Sequence, residues 1–503
     1  MVCVVYTITT AILFRNYLLI YNGNKEIRMA DLLWSEIENK YQYKNNDSNW
    51  VTDLLKQEIS KNSAKLVVLD DDPTGVQTVH GVYVYTDWSY ESILEGFRSE
   101  EKIFYILTNS RALTEEQTEE LHREIARNII KAAAETKLRF QIISRGDSTL
   151  RGHYPLETSV LKEELEKGAG IKIDGEILIP YFKAGGRYTL HNIHYVKEKD
   201  TLIPAADTEF ARDKTFGYKN SNLCEYIEEK TKGQYLAEKV LAIGLEEIRD
   251  LQLEAIKEKL RKITDFGKVI VNAIDPRDLE IFCLSLYGAL QEGKQFLYRS
   301  AAEFVKIVAG ISEQELLRKD SMLVSEVKQG GLVVIGSHTE KTTAQLRELE
   351  KLPELAFLEF DSDLVLENRL AEEVERVNQQ SKAFIELGTT VVIYTKRRLL
   401  TLDNDTKESA LLRSVEISEA VQKLVSDLGT APAFVIAKGG ITSSDIGVKA
   451  LKVRKACVLG QIQPGVPVWR TDEDSRYPGM PYIIFPGNVG ETDTLKKIVC
   501  ELM

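Results

Sequence analysis

A repeated change of period is what most constrains the fold of this chain. Short apolar runs, continuous rather than alternating, are each followed by a stretch with helical spacing. Lys65-Leu-Val-Val-Leu-Asp70 is the first, and similar runs stand at Val82–Tyr85, Ile103–Leu107, Phe140–Ile143, Ile177–Ile179 and Val269–Asn272. A continuous apolar run of this length suits a strand covered on both faces. Between the runs lie amphipathic stretches such as Glu115–Thr136, which follows the cap-forming Thr114. Strand alternating with helix predicts an α/β fold with a largely parallel sheet.

A second series opens after Gln329-Gly-Gly331. Its runs are Leu332–Ile335, Ala356–Phe360, Val391–Tyr394, Phe434–Ala437, Ala456–Gly460 and Tyr482–Phe485, with helices between them such as Ala410–Leu428. The expectation is two α/β domains with largely parallel sheets, one over 63–310 and one over 331–503. Residues 1–62 read as an N-terminal extension, partly helical: Leu32, Leu33, Ile37 and Tyr41, then Val51, Leu54, Leu55 and Ile59, recur at helical spacing around the polar stretch Lys44–Asn49. The stretch 278–327 reads as helical, and 311–330 as a helical linker joining the domains.

Met1–Phe14 is mostly apolar, but Arg15 interrupts it well short of the ~20 residues a membrane span needs. It lacks the basic start of a secretory signal, and a true start at Met29 would remove it. Lys and Arg number 65 against 77 Asp and Glu, a net charge of −12, which argues against an open surface for polyanions. Neither a nucleic-acid nor a membrane partner is expected, and a homodimer stays open. Cys3, Cys224, Cys283, Cys457 and Cys500 show no paired spacing, so a reducing, cytoplasmic compartment fits and no cysteine metal site is expected.

In open parallel sheets, ligands bind beyond the carboxyl ends of the strands. Four unusual segments fall at such ends in the first series. Asp70-Asp-Asp-Pro-Thr-Gly75 places three carboxylates together, which need a metal, a basic group or a hydroxyl-rich ligand, and Thr74 adds a hydroxyl. Thr108-Asn-Ser-Arg111 offers the Asn109 amide and the Arg111 guanidinium. Ser144-Arg-Gly-Asp-Ser-Thr-Leu-Arg-Gly-His153 brings Arg145 and Arg151, each able to clamp a carboxylate through two parallel hydrogen bonds, with Asp147 and Ser148 for hydroxyls. Tyr181–His191 carries Lys183 and Arg187 around Gly185-Gly186. Its His191, with His194, reads as structural rather than metal-binding, because no further ligand accompanies the pair.

The second series ends its strands differently, in small and glycine-rich turns. Gly336-Ser337-His-Thr339 precedes a helix, and Lys438-Gly439-Gly440-Ile441-Thr442 follows a strand and opens another. Gln463-Pro-Gly465 and Pro486-Gly487-Asn488 complete the set. Backbone N–H groups and hydroxyls at such turns cradle phosphate. No GxxxxGK[ST] loop, GxGxxG fingerprint, protein-kinase signature or GxSxG elbow is present, so a nucleotide would be held by another scheme.

Taken together, Asp71-Asp72-Pro-Thr-Gly75, Asp147-Ser-Thr149 with Gly152, Gly186-Arg187, Gly336-Ser337, Gly439-Gly440 and Gly487-Asn488 resemble the four-carbon acid sugar kinase family over about 65–495. The resemblance implies an N-terminal sugar-acid-binding domain and a C-terminal nucleotide-binding domain. It implies ATP, as MgATP, phosphorylating the terminal hydroxyl of an erythronate, threonate or 3-oxo-tetronate type of acid. It further implies that Ser337, Gly439, Gly440, Ile441, Thr442 and Gly487 line the ATP site, and that Asp71, Asp72, Arg145, Asp147, Ser148 and Arg187 face the sugar acid. Asp71 or Asp72 would then accept the hydroxyl proton, an arginine among 145, 151 and 187 would hold the substrate carboxylate, and Lys438 or helix N-termini would stabilise charge on the γ-phosphoryl group. The extension 1–62, the stretch 278–327 and Ile441 depart from the shorter members. Two other classes fit parts of the pattern: a sensor that binds both ligands without transfer, and an ATP-independent sugar-acid lyase or isomerase.

Overall fold

A computed structural model describes residues 32–43, 49–323, 328–398, 400–402, 405–487 and 489–503, with the backbone alone for 407 and 408. The apolar N-terminal run, Met29 and Asn488 lie outside the described residues.

The continuous apolar runs are strands, and they form one sheet of 15. Its first half, in spatial order, is Leu241–Ile243, Gly267–Val271, Gly175–Ile179, Phe296–Ser300, Phe140–Arg145, Lys65–Asp70, Ile103–Leu107 and Val82–Tyr85. Within this half every pair of neighbours is parallel. The second half ends in Pro481–Phe485, Val435–Lys438, Leu332–Ile335, Val391–Thr395 and Ala356–Phe360, again parallel. Helices cover both faces, which is why the strands carry apolar residues without alternation. The helix Glu115–Thr136 starts at a capping box in which Thr114 and Gln117 each satisfy the other's backbone N–H.

The two α/β domains are fused edge to edge. Val82–Tyr85 pairs antiparallel with Lys455–Gln463, which forms a hairpin with Val466–Thr471, and that strand pairs antiparallel with Pro481–Phe485. Each parallel sheet would otherwise expose an edge of unpaired N–H and C=O groups. Glu95 reinforces the seam, its carboxylate 3.0 Å from Arg454 Nη2 and 2.7 Å from Lys455 Nζ.

Three expectations need correction. The stretch 278–327 is not helical throughout: between the helices Pro276–Gln291 and Ala302–Ala309 lies the strand Phe296–Ser300, inserted between Gly175–Ile179 and Phe140–Arg145 in the sheet. Among its described residues the linker 311–330 has one short helix, Lys319–Met322, and Leu317 instead donates its N–H to the Gln461 carbonyl at 2.8 Å. In the extension, Trp34–Lys40 and Trp50–Lys61 are helical, but Leu32–Leu33 is a strand paired with Thr201–Leu202. It extends a small antiparallel sheet of Arg187–Leu190, Ile193–Glu198 and Thr201–Pro204. Trp34 stacks on Tyr188 with ring centroids 4.1 Å apart, so this segment is packed onto the fold. No helix among the described residues is long and apolar enough to cross a membrane.

Candidate functional site

Parallel register brings Asp70 beside Arg145 at the carboxyl end of adjacent strands. Asp70 faces inward and accepts a hydrogen bond from Arg145 Nη1 at 3.1 Å. Burial outweighs that arginine and pushes the Asp70 carboxyl up to about 7. Asp71 is also buried, with three guanidinium groups around it: Arg111 Nε at 3.3 Å, Arg145 Nη1 at 3.6 Å and Arg299 Nη2 at 4.0 Å. Burial still prevails and raises Asp71 to about 6.

Asp72 is the partly exposed member of the triplet, its side chain 25% accessible. Its Oδ1 accepts hydrogen bonds from the Thr74 N–H at 2.8 Å and from the Thr74 hydroxyl, and its Oδ2 pairs with Arg111 Nη2. Burial alone would raise its pKa, but Arg111 and Thr74 outweigh it and hold the carboxyl below its usual range. Arg111 also reaches toward Asp147, 3.9 Å from Nη1. Asp147 pairs with Arg151 Nε at 2.7 Å and is likewise held low, the two arginines overcoming burial. Arg151 and Arg187 both lie over the Phe210 ring, 5.1 and 5.4 Å from its centroid. Arg187 has no ion-pair partner among the described residues, its Nε is buried without a hydrogen bond, and burial lowers its pKa.

The fold thus gathers Asp72, Thr74, Arg111, Asp147 and Arg151 beyond the carboxyl ends of three neighbouring strands, with Arg187 from the small sheet beside them and Asn109, in left-handed backbone at φ 51°, following one of the three. It draws three residues expected to face a ligand into the interior. Arg145 is buried and spent on Asp70 and Asp71, and Asp71 lies beneath the surface that Asp72 presents. Ser148 is buried too, and its carbonyl is fixed by His194. Sequence reading missed Arg299, Glu157 and Phe210. Phe296-Leu-Tyr-Arg-Ser300 ends in polar residues as the other strands do, a signal that marks Arg299 as a strand-end residue.

His194 bears out the structural reading. Its Nε2 lies 2.8 Å from the Ser148 carbonyl and its Nδ1 3.0 Å from the Thr189 hydroxyl, a fit for the neutral ring donating from Nε2. Burial pushes it down to about 4. Between that value and about 6.5 the unfolded chain holds a proton that the folded chain does not, so stability falls on acidification. Relative to His194→Gln, the wild type should lose about 3 kcal/mol as pH falls from 6.5 to 4. Urea unfolding of both proteins across that range checks it; a constant gap would mean that the folded ring takes up the proton as readily as the unfolded one.

On the second domain the glycine turns meet. The hydroxyls of Thr339 and Thr342 lie 3.1 and 3.0 Å from the Gly487 carbonyl, and Ser337 Oγ faces Gly487. Thr339 caps the helix Glu340–Leu349. Gly439 donates its N–H to the Phe485 carbonyl at 2.9 Å and holds φ +132°, which disfavours any other residue. A Cβ there would meet Thr442 Oγ1 at 3.1 Å and Ser337 Cβ at 3.2 Å. Nothing stands above Gly440, Ile441 is 75% exposed, and Gly465 rests against Val489.

Lys438 corrects the expectation that it faces a phosphate. It is fully buried, and its Nζ donates to the carbonyls of Pro486 at 2.6 Å and Gly487 at 3.3 Å. Burial, aided by the charge of Lys341, lowers it to about 7. Its work is to pin the 486–487 turn. The remaining turns, with backbone donors, hydroxyls and open space, fit a nucleotide. No group of three or more His, Cys, Asp or Glu among the described residues is placed to hold a metal.

Two family models match the chain: a sugar-binding N-terminal domain over residues 66–308, and a nucleotide-binding C-terminal domain over residues 332–495. Among solved structures it is similar to a Haemophilus influenzae protein from a domain family of unknown function, with 17% identity, 87% of this chain and 100% of that one covered, and a TM-score of 0.61. It is also similar to a Salmonella typhimurium LT2 protein provisionally named a tRNA synthase, with 14% identity, 87% and 98% covered, and a TM-score of 0.63. At such identities the likeness shows the fold alone. A search of curated proteins found no match.

Proposed function

The chain belongs to the four-carbon acid sugar kinase family, in which a sugar-binding domain is joined to a nucleotide-binding domain, and from that premise we propose that it is an ATP-dependent kinase of a four-carbon sugar acid. The observation that carries this reading is one connected network in the first domain. Arg111 ties the ionised, partly exposed Asp72 to Asp147, and Asp147 faces Arg151 and the unpaired Arg187. A sugar acid needs both of these: a cation for its carboxylate and a carboxylate for its hydroxyl.

In this reading Arg187, with Arg151 beside it on Phe210, holds the substrate carboxylate in a charge-assisted pair. Asp72 orients the terminal hydroxyl and takes its proton as the new bond forms. Ser337, the Gly439–Thr442 turn, Gly465 and Gly487 hold the nucleotide by backbone donors and hydroxyls. Bound MgATP supplies the phosphoryl group and a cation that offsets its charge. Arg111 keeps Asp72 ionised and aimed, which is a positioning role. Erythronate, threonate and 3-oxo-tetronate are the substrate class that membership of this family suggests.

The test is ADP release by the purified protein over a panel of these acids and their longer and shorter homologues. Release that depends on a four-carbon acid supports the reading. Tight binding of acid and ADP with no release above the acid-free rate would make the protein a sensor instead.

A further inference from the structure

With Lys438 turned inward, the nucleotide turns need another source of positive charge, and the structure offers one two residues beyond the strand Val391–Thr395. That strand is the immediate neighbour of Leu332–Ile335 in the sheet, so its carboxyl end opens onto the same crevice as the Ser337 turn. Arg397 sits there. Its Nη2 donates to the Ser337 carbonyl and, at 3.1 Å, to the Thr343 hydroxyl. Its Nη1 is buried with no hydrogen-bond partner. Its neighbour Lys396 is neutralised by Asp361 and Asp363, 2.5 and 2.9 Å from Nζ, but Arg397 has no carboxylate partner among the described residues. Burial alone acts on its charge and lowers its pKa. The pKa of His338 beside it is lowered, by burial first and by the Arg397 charge second.

An unpaired guanidinium with an unused Nη1 donor at a ligand-binding strand end calls for an anion, and a charge-assisted hydrogen bond from it to a phosphate oxygen is about twice as strong as a neutral one. Resting on the nucleotide-binding reading of this domain, we propose that Arg397 binds the phosphates of the nucleotide, with Nη1 as the donor kept for them. The hydrogen bond to Ser337 makes that turn and the guanidinium one unit, so the cation is positioned before ligand arrives.

The experiment compares ADP with adenosine, which lacks the phosphates, by calorimetry on the wild type, Arg397→Gln and Arg397→Lys. Loss of a charge-assisted hydrogen bond predicts a Kd for ADP raised about 10–100-fold in Arg397→Gln, with adenosine unchanged within about twofold. Arg397→Lys, which keeps the charge but not the fork, should fall between, and it decides the matter if the Gln variant does not fold. An ADP Kd unchanged in the variants overturns the inference. So does an equal loss for ADP and adenosine, which would make Arg397 a support of the Ser337 turn only. If the wild type itself binds no ADP, the nucleotide reading falls first, and the inference falls with it.

Discussion

Asp72→Asn is expected to lower kcat for phosphoryl transfer by about 10²–10⁴-fold, the range a general base contributes, while the Kd for ADP stays within about twofold. The change is nearly isosteric, and the Asn oxygen still accepts from the Thr74 N–H, now 2.8 Å from Asp72 Oδ1. Arg111 keeps Asp71 and Asp147 as partners. What the variant removes is the charge at the exposed end of the triplet. A kcat within threefold of wild type would exclude Asp72 as the base. The pH profile gives an independent reading, because a base works only when deprotonated. Arg111 and Thr74 hold Asp72 low, so the acid limb of kcat/KM belongs below the ordinary aspartate value of 3.8. If Asp71 were the base, burial would place that limb at about 6. A limb near 6 that vanishes in Asp71→Asn would transfer the role to Asp71.

The parts of this molecule legible in the sequence are those dictated by local pattern. Continuous apolar runs become strands of a sheet covered on both faces, and Thr114 three residues before Gln117 becomes a capping box. Strand Phe296–Ser300 escaped because only four residues separate it from the helix before it and one from the helix after, so its run merges into a helical pattern. The small sheet escaped because its turn, His191-Asn192, takes positive φ at both positions, 51° and 68°, without the glycine that usually marks such a hairpin. The candidate site was legible as a set of segments but not as a set of directions. Arg145 and Arg187 look alike in sequence. The sheet order puts Arg145 beside Asp70 and leaves Arg187 without an acid, and no local pattern carries sheet order. Lys438 failed for the same reason: a lysine beside two glycines reads as a phosphate ligand until the 486–487 carbonyls are seen to claim it.

Arg299→Met is expected to cost about 3–5 kcal/mol of stability at neutral pH, the usual penalty for leaving a buried charge without its partner. Arg299 is 5% exposed, and its Nη1 lies 2.8 Å from Glu157 Oε2 and 3.2 Å from Ser144 Oγ. Its Nη2 donates to the Arg151 carbonyl at 3.0 Å, so the same side chain braces the loop that carries Asp147 and Arg151. The chain is shaped around it: a Cβ on Gly146 would lie 2.0 Å from Nη1. Burial opposes the charge on Glu157, but Arg299, with His122 and Ser110, holds its pKa down to about 2. In the wild type, then, Glu157 contributes stability that is present above about 4.5 and lost as pH falls toward 2. In Arg299→Met the buried carboxyl rises above its ordinary value and takes a proton as the solution is acidified. The gap between wild type and variant should therefore narrow from pH 7 to pH 4, whereas a lost apolar contact would leave it constant. Adding Glu157→Gln to the variant should recover a large part of the loss, because the uncompensated charge is gone. Urea denaturation of the two variants and the double variant at both pH values measures this coupling. An Arg299→Met protein within 1 kcal/mol of wild type at pH 7 would show that Glu157 finds another partner and that the buried pair does not brace the site.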